Sequence, residues 1–446
     1  MGAAESVPAG AGDMSDAVST TEVDPLAEPT ARVSKKFITI LALANLGIWT
    51  AFFAPINFLL PLQVEAIVGS GTKETNLGLV LAIGALVSLV SSPISGALSD
   101  RTSSRLGRRR SWVLWPSIAA FGVLLVLGNL TTIGGLVIGW ALAQLTLNAS
   151  YAAVTAMLPD QVPVEQRGTV SALVGAGQPV GIILGGVISI VVAGDNNAGN
   201  GQNVRYIVVG VIVLLTAALF VFGMKDPQLA KDRIPKMQWG AFFKGFWISP
   251  KEHPDFAWVW FTRFLVILGT AFVTSYLLYF SRDVLGKSAE EAPKTVTSIL
   301  VLYVLALLVS VLAVGPLSDR TGKVKPFVIG ASAVAALAMV ILAFAHNELM
   351  AIIAAVIMGL GFGAYTAVDL ALISRVLPNA EDRARDLGVM NIANAGPQVI
   401  APFVAGWIIS LLKVNGYSFA YAALYLTAGA ITLVGAVLVT KVRSVP

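Results

Sequence analysis

Long apolar stretches alternate with short polar ones along most of the 446-residue chain. Apolar runs occupy roughly 37–63, 76–98, 110–130, 134–157, 169–193 and 204–223. A longer polar stretch, 224–254, separates them from six more, at 256–281, 294–316, 325–345, 348–374, 386–412 and 418–440. A helix of about 20 residues crosses the hydrocarbon core of a bilayer, and it satisfies its own backbone hydrogen bonds where no water is available. The pattern therefore predicts an all-α polytopic membrane protein with twelve transmembrane helices in two sets of six. The expected parts are a disordered tail over 1–34, a first six-helix bundle over 35–223 and a central loop over 224–254. A second bundle over 255–440 and a short C-terminus, 441–446, complete the chain. The tail is rich in Ala, Gly, Ser, Pro and Thr, carries acids such as Asp13 and Glu22, and lacks the basic start and apolar core of a signal peptide.

Composition agrees. Hydrophobic residues make up 56% of the chain and charged residues only 12%, half the share usual for a water-facing domain. The absence of cysteine excludes disulfides, thiolate metal sites and a cysteine nucleophile. His253 and His346 are the only histidines, both in expected loops, so neither a histidine-rich metal site nor any cofactor is expected.

The basic balance at first raises the question of nucleic acid, but the placement of charge answers it. With the N-terminus inside, 23 of the 30 Lys and Arg fall on cytoplasmic segments, six outside and one, Arg263, within a helix. That asymmetry orients a polytopic protein with both ends in the cytoplasm. The expected surroundings are the lipid bilayer of the cell membrane, with no nucleic-acid partner, and the chain is expected to work as a monomer.

The halves also repeat. Gly96-Ala-Leu-Ser-Asp-Arg-Thr102 and Gly315-Pro-Leu-Ser-Asp-Arg-Thr321 share six residues of seven, each between the second and third helix of its half. A fainter echo links Pro163–Arg167 to Pro378–Arg383. Duplicated halves are the mark of a carrier whose substrate lies between the repeats.

The segment from Gly96 through Asp100, Arg101, Arg105, Gly107, Arg108, Arg109 and Arg110 resembles the signature loop of the major facilitator superfamily, and the resemblance covers 37–440. Its longer form is similar to the version in glycoside–pentoside–hexuronide and sucrose-type symporters, as is Asn148 through Gly168. The resemblance implies a secondary transporter working by alternating access and a loop that holds the cytoplasmic side shut. Asp100 is expected to accept from Arg101 or a neighbour, or to face the start of the eleventh helix. Asp319, Arg320 and Lys323 form the counterpart in the second half.

Polar side chains inside spans are costly unless they face a cavity or a partner helix. Gln144, Asn148, Tyr151 and Thr155 share one face of the fourth helix; Asn45, Trp49 and Asn57 lie along the first; Asn391, Asn394 and Gln398 line the eleventh; Gln178 stands alone on the fifth. Such amides and aromatics suit a hydroxyl-rich or amphipathic solute, and helix-to-helix bonding is the competing use of each. Arg263 and Asp369 stand within the seventh and tenth helices and are expected to meet as an ion pair or as a substrate- or proton-responsive site. Tyr365 is one turn from Asp369, and Glu65 is a weaker candidate near the outer end of the first helix. Small residues every four positions, at Gly84, Ser88, Ser92 and Gly96 and at Gly177, Gly181 and Gly185, predict close helix contacts. Gly359-Leu-Gly-Phe-Gly363 lies inside an apolar helix with no preceding strand, so it is no nucleotide loop.

The function expected is transport of a small organic solute, sugar or glycoside first, with a co-transported proton or cation. Proton-coupled efflux of amphipathic compounds is the alternative. A non-transporting receptor or scaffold would not need polar stripes on several helices. A membrane enzyme would need catalytic carboxylates in outer loops that hold only scattered acids such as Asp195, Asp283, Glu290 and Glu291.

Overall fold

The computed structural model describes residues 29–192, 201–228, 234, 240, 248–321, 323–376 and 383–443. Twelve helices among them are long and apolar enough to cross a membrane. In chain order they are α1 (Lys35–Val68), α2 (Lys73–Ser99), α3 (Arg108–Leu127), α4 (Ile133–Gln161), α5 (Val164–Val191) and α6 (Asn203–Gly223), then α7 (Pro254–Ser275), α8 (Glu291–Ser318), α9 (Lys325–Ala343), α10 (Glu348–Ile373), α11 (Gly388–Asn415) and α12 (Tyr417–Lys441). The connections at 100–107, 162–163 and 323–324 mark one end, the terminal end, where the described residues also begin and finish; those at 69–72, 128–132 and 284–290 mark the far end.

Local chemistry sets several boundaries. The Ser34 hydroxyl accepts from Phe37 N at 3.2 Å and starts α1, while Val33 N donates to Gln166 Oε1 at 2.8 Å, so the last residues before α1 are tied to α5. The rest of the expected tail, 1–28, lies outside the described residues. Pro254 opens α7 at a position where its missing N–H costs nothing.

Two spans are interrupted where periodicity gave no sign. α1 passes through a π turn over Pro55–Leu59, and the expected seventh run breaks at Tyr276 (φ −121°), after which a short helix, Leu277–Asp283, continues it. These are the first helices of their halves, and both breaks lie toward the far end.

Glycines set the closest contacts. A Cβ on Gly177, Gly181 or Gly185 would stand about 3 Å from Leu46, Thr50 or Ala54, which shows α5 lying on α1. Gly359 and Gly363 receive the backbone of α8, and Gly361 that of α9. Large apolar side chains such as Phe222, Leu312 and Trp115 stay exposed on the outside, as lipid contact requires.

Candidate functional site: a cleft between the halves

Four rings join α1 to α4. Trp49 stacks on Phe53 (centroids 5.4 Å, 14° between planes) and meets Tyr151 edge-on at 5.3 Å, with Phe52 5.6 Å from Trp49. Trp49, Phe53 and Tyr151 are only half-buried. At 1.5 Å per residue, Trp49 lies about 21 Å from the start of α1 and Tyr151 about 15 Å from the end of α4, a layer near mid-membrane.

The α4 stripe divides in two. Asn148 Nδ2 donates to Gln144 Oε1 at 2.9 Å, and its Oδ1 accepts from Ser88 of α2 at 3.0 Å. Gln144 and Asn148 therefore bind α4 to α2, with Gly84 making room beside Trp140 and Gln144. Thr155 bonds back to the Tyr151 carbonyl. Asn45 is likewise structural, its Nδ2 reaching Val174 O of α5 at 2.6 Å.

In the second half, Arg263 pairs with Asp369, whose other oxygen accepts from the Tyr365 hydroxyl at 3.0 Å. Trp260 Nε1 donates to Val389 O at 3.0 Å, tying α7 to α11, and its ring stacks on Phe264. The α11 amides Asn391 and Gln398 are exposed and Asn394 half-exposed. Successive steps of four residues from Asn394 through Gln398 and Pro402 to Gly406 keep one slowly turning face. At its far end that face packs on α2: a Cβ on Gly78 would strike Pro402 O, and one on Gly406 would strike Glu74 O. Gln398 and Asn394 stand about 40° and 80° around α11 from Pro402, at the edge of that inter-half face, and neither is buried. Gln178 of α5 is exposed, and Asn57 is half-buried in the π turn.

The far end is shut by a network that connects the halves. Lys73 reaches Glu65 (3.2 Å) and Asp283 (2.6 Å), with its Nζ 4.7 Å from the Tyr279 ring centre. Arg282 pairs with Glu65, and Lys413 with Glu74 at 2.8 Å. The Tyr276 hydroxyl lies 2.8 Å from both Glu74 O and Pro402 O, and Tyr279 donates to Pro61 O at 2.8 Å. Three acids thus meet three bases, so the net charge of the cluster is zero. Burial still pushes the Asp283 carboxyl above the ordinary carboxylate range, against the opposing pull of Lys73. Of this network the sequence singled out Glu65 alone.

At the terminal end the signature loop folds back on its own half. Arg109 donates to Asp160 (2.7 Å), Asp100 (2.5 Å) and Ser99 (2.9 Å), and Arg108 also reaches Asp160 at 2.7 Å. Asp100 therefore takes Arg109, a neighbour of Arg101 in the loop, as its partner, while Arg101 itself donates to Ala97 O. The carboxylate of Asp226, just past α6, caps the first N–H groups of α3 (Arg109 N 2.5 Å, Arg110 N 2.8 Å). Gly107 permits this, with φ +102° and a position where a Cβ would collide with Asp226. Arg105, Arg320 and Lys323 are exposed, and nothing lies within 4 Å of a Cβ built on Gly96. The Asp319 side chain lies outside the described residues. No group of three or more metal-ligating side chains occurs among those described.

Twelve spans, a sealed far end and polar groups at mid-depth between two halves define a secondary transporter, in which a cleft exposed at one end exchanges for one exposed at the other. The chain belongs to the major facilitator superfamily: residues 37–439 match the family described as "MFS/sugar transport protein". It is 25% identical over 286 residues to a tetracycline resistance protein, class H, of Pasteurella multocida (58% of this chain, 68% of that protein). It is 26% identical over 303 residues to the multidrug resistance protein MdtG of Enterobacter lignolyticus (67% and 68%). A shorter match, 34% over 96 residues, is to solute carrier family 45 member 3 of Mus musculus (22% and 16%). Among solved structures, the nucleoside transporter NupG superposes with a TM-score of 0.68 at 11% identity (91% of this chain, 98% of that one). A bacterial homolog of the lysosomal transporter Spinster, in an inward-facing conformation, gives 0.66 at 14% (92% and 96%). These likenesses establish the fold.

Proposed function

We propose that the protein carries a small, hydroxyl-rich organic solute with an apolar ring face, a sugar or glycoside first, across the cell membrane together with a proton. The observation that carries this reading is the mid-depth pairing of stacked rings in one half with free amides in the other. Trp49, Phe53 and Tyr151 offer faces for a ring, and Asn394 and Gln398 offer donors and acceptors for hydroxyls. Arg263 and Asp369, beside Tyr365, supply a charged pair whose partners a proton or solute can exchange. The excess of Lys and Arg on the terminal-end loops supports a cytoplasmic position for both termini, and so for the open end. The central connection over 224–254 joins two six-helix bundles, and one chain suffices, since both faces of the cleft come from it. Asp100, Arg108 and Arg109 act as the terminal-end latch.

The second reading, export of amphipathic compounds, draws on the resistance proteins among the relatives and on the aromatic character of the α1–α4 face. Uptake of a radiolabelled sugar panel into oriented vesicles, with proton and sodium gradients collapsed separately, tests the two. Saturable accumulation lost only with the proton gradient is expected. Failure of every sugar to accumulate, with export of a tetracycline or a lipophilic cation instead, would replace the first reading by the second.

A further inference from the structure

On the outer side of the first half, α2, α3 and α4 leave a groove of about 730 Å³. Val90 and Leu98 form one wall, Trp112 and Trp115 the other, and Leu145 closes it, while the small Ala119 leaves the space open. Of the three hydroxyls that border it, Ser91 is spent on Ser88 O and Thr146 on Leu142 O, and Ser95 is buried. The surface offered is therefore hydrocarbon.

The groove faces away from the other half. Eighteen residues, five full turns, separate Gly78 from Gly96, so both lie on the face of α2 turned toward α11; Ile94 and Leu98 stand about 160° and 200° around from it. From Leu86 to Leu98 the groove runs about 18 Å along the helix, slightly more than half of the roughly 30 Å hydrocarbon core. That is the depth of one leaflet.

Its mouth at the terminal end is basic. Arg101 follows Leu98 by one turn; one of its terminal nitrogens donates to Ala97 O at 2.7 Å, while its Nε is buried without a hydrogen-bond partner. Arg105 is exposed on the loop just beyond. The Trp112 indole N–H, held by Thr102 at 2.8 Å, marks the level where aromatic rings sit at the membrane interface.

We propose that this groove binds one acyl chain of an anionic phospholipid whose phosphate is held by Arg101 and Arg105. Arg101 spends only one terminal nitrogen on Ala97 O and Arg105 is exposed, which leaves guanidinium donors for a phosphate oxygen, and a concave hydrocarbon wall directly below fits the chain attached to it. The proposal needs only that the spans cross a membrane; it does not depend on the solute carried or on the direction of transport.

Native mass spectrometry of the full chain, titrated with phosphatidylglycerol or with phosphatidylcholine of the same acyl chains, tests it. One phosphatidylglycerol is expected to be retained at concentrations about tenfold below those needed for phosphatidylcholine. The double variant Arg101→Gln/Arg105→Gln should lose that preference, about threefold per arginine. Ala119→Trp, which fills the groove, should retain neither lipid at that site. The unaltered protein gives a readout that does not depend on the folding of Ala119→Trp. Brominated phosphatidylglycerol at low mole fraction should quench tryptophan fluorescence more than brominated phosphatidylcholine does, and the double replacement Trp112→Phe/Trp115→Phe should remove that excess. Equal retention and equal quenching by the two lipids would overturn the proposal, as would a folded Ala119→Trp protein that still retains phosphatidylglycerol.

Discussion

Lys73 and Asp283, 210 residues apart in sequence, meet at 2.6 Å across the far end, and the lysine side chain is only 1% exposed. Withdrawing one partner leaves the other charge buried and unpaired, a loss of about 3–5 kcal/mol for a fully buried pair. Lys73→Met is therefore expected to shift the protein from the far-closed state toward the far-open one. The chain has no cysteine, so spin labels at Thr75→Cys and Asn415→Cys, both exposed at the far end, report the change cleanly. A longer, broader distance distribution in Lys73→Met is the expected result; an unchanged distribution would remove this pair from the gate.

The same cluster predicts a pH dependence. Asp283 is surrounded by Lys73, Glu65, Glu74, Tyr279 and Tyr421, and burial raises its carboxyl. A carboxylate raised in the far-closed state binds a proton more readily there than when that end is open to water. Above its raised value the charge is penalised in the closed state; the penalty is relieved as pH falls through that value toward the ordinary 3.9 or so. Acidification should therefore increase the far-closed population in the same spin-label measurement. Asp283→Asn should flatten that part of the response.

The number of spans and the duplicated loop were legible in the sequence because each depends on local features, namely apolar length and a short repeat identical at six of seven positions. Helix faces were legible too: the Gly177, Gly181 and Gly185 stripe packs on α1 as small residues at that spacing should. Which neighbour a face meets was not legible. Gln144 and Tyr151 share a stripe by arithmetic, yet one bonds within an α4–α2 seam and the other packs on Trp49. The far-end network was hidden because its members come from the tips of α1, α2 and α11 and from the short helix after α7, scattered from Glu65 to Lys413 and resembling ordinary headgroup charges. The breaks at Pro55–Leu59 and Tyr276 had no signal beyond one proline.

Asp160 and Asp100 both bind Arg109, but not equally. Asp100 is half-exposed and holds one guanidinium nitrogen, whereas Asp160 is 22% exposed and accepts from both Arg108 and Arg109. An exposed pair contributes about 1 kcal/mol or less. Asp160→Asn should thus lower thermal stability and transport more than Asp100→Asn does, at equal surface abundance. The reverse order would mean that Asp100 acts through a contact made only in the alternate state.

Gly107 and Gly96 belong to one loop motif and separate two of its requirements. At Gly107 a side chain must adopt φ +102° and displace Asp226 from the start of α3. Left-handed backbone costs about 1–2 kcal/mol and a lost cap about 1 kcal/mol, so Gly107→Ala should lower the melting temperature measurably. Gly96→Leu should leave it unchanged, because that site is open in this state. Gly96 nonetheless lies on the α2 face that packs on α11 further along, so a bulky side chain there is expected to obstruct closure of the terminal end. Transport should fall while the far-closed population rises.

Arg263 and Asp369 allow structure to be separated from function. Arg263→Gln or Asp369→Asn alone leaves one charge in a largely buried setting, with side chains 16% and 7% exposed in the intact pair. Each single variant should therefore be destabilised, and by more than the double variant, in which neither charge remains. If the pair only braces α7 against α10, the double variant should recover transport along with stability. If it answers to the solute or to a proton, stability should return while transport stays low and loses its dependence on the proton gradient. The exchanged pair, Arg263→Asp with Asp369→Arg, keeps both charges but moves the carboxylate away from Tyr365, which now donates to it at 3.0 Å. Our reading expects that exchange to restore folding without restoring proton-driven uptake, measured in the same vesicles as the unaltered protein. Full recovery of uptake would reduce the pair to a brace.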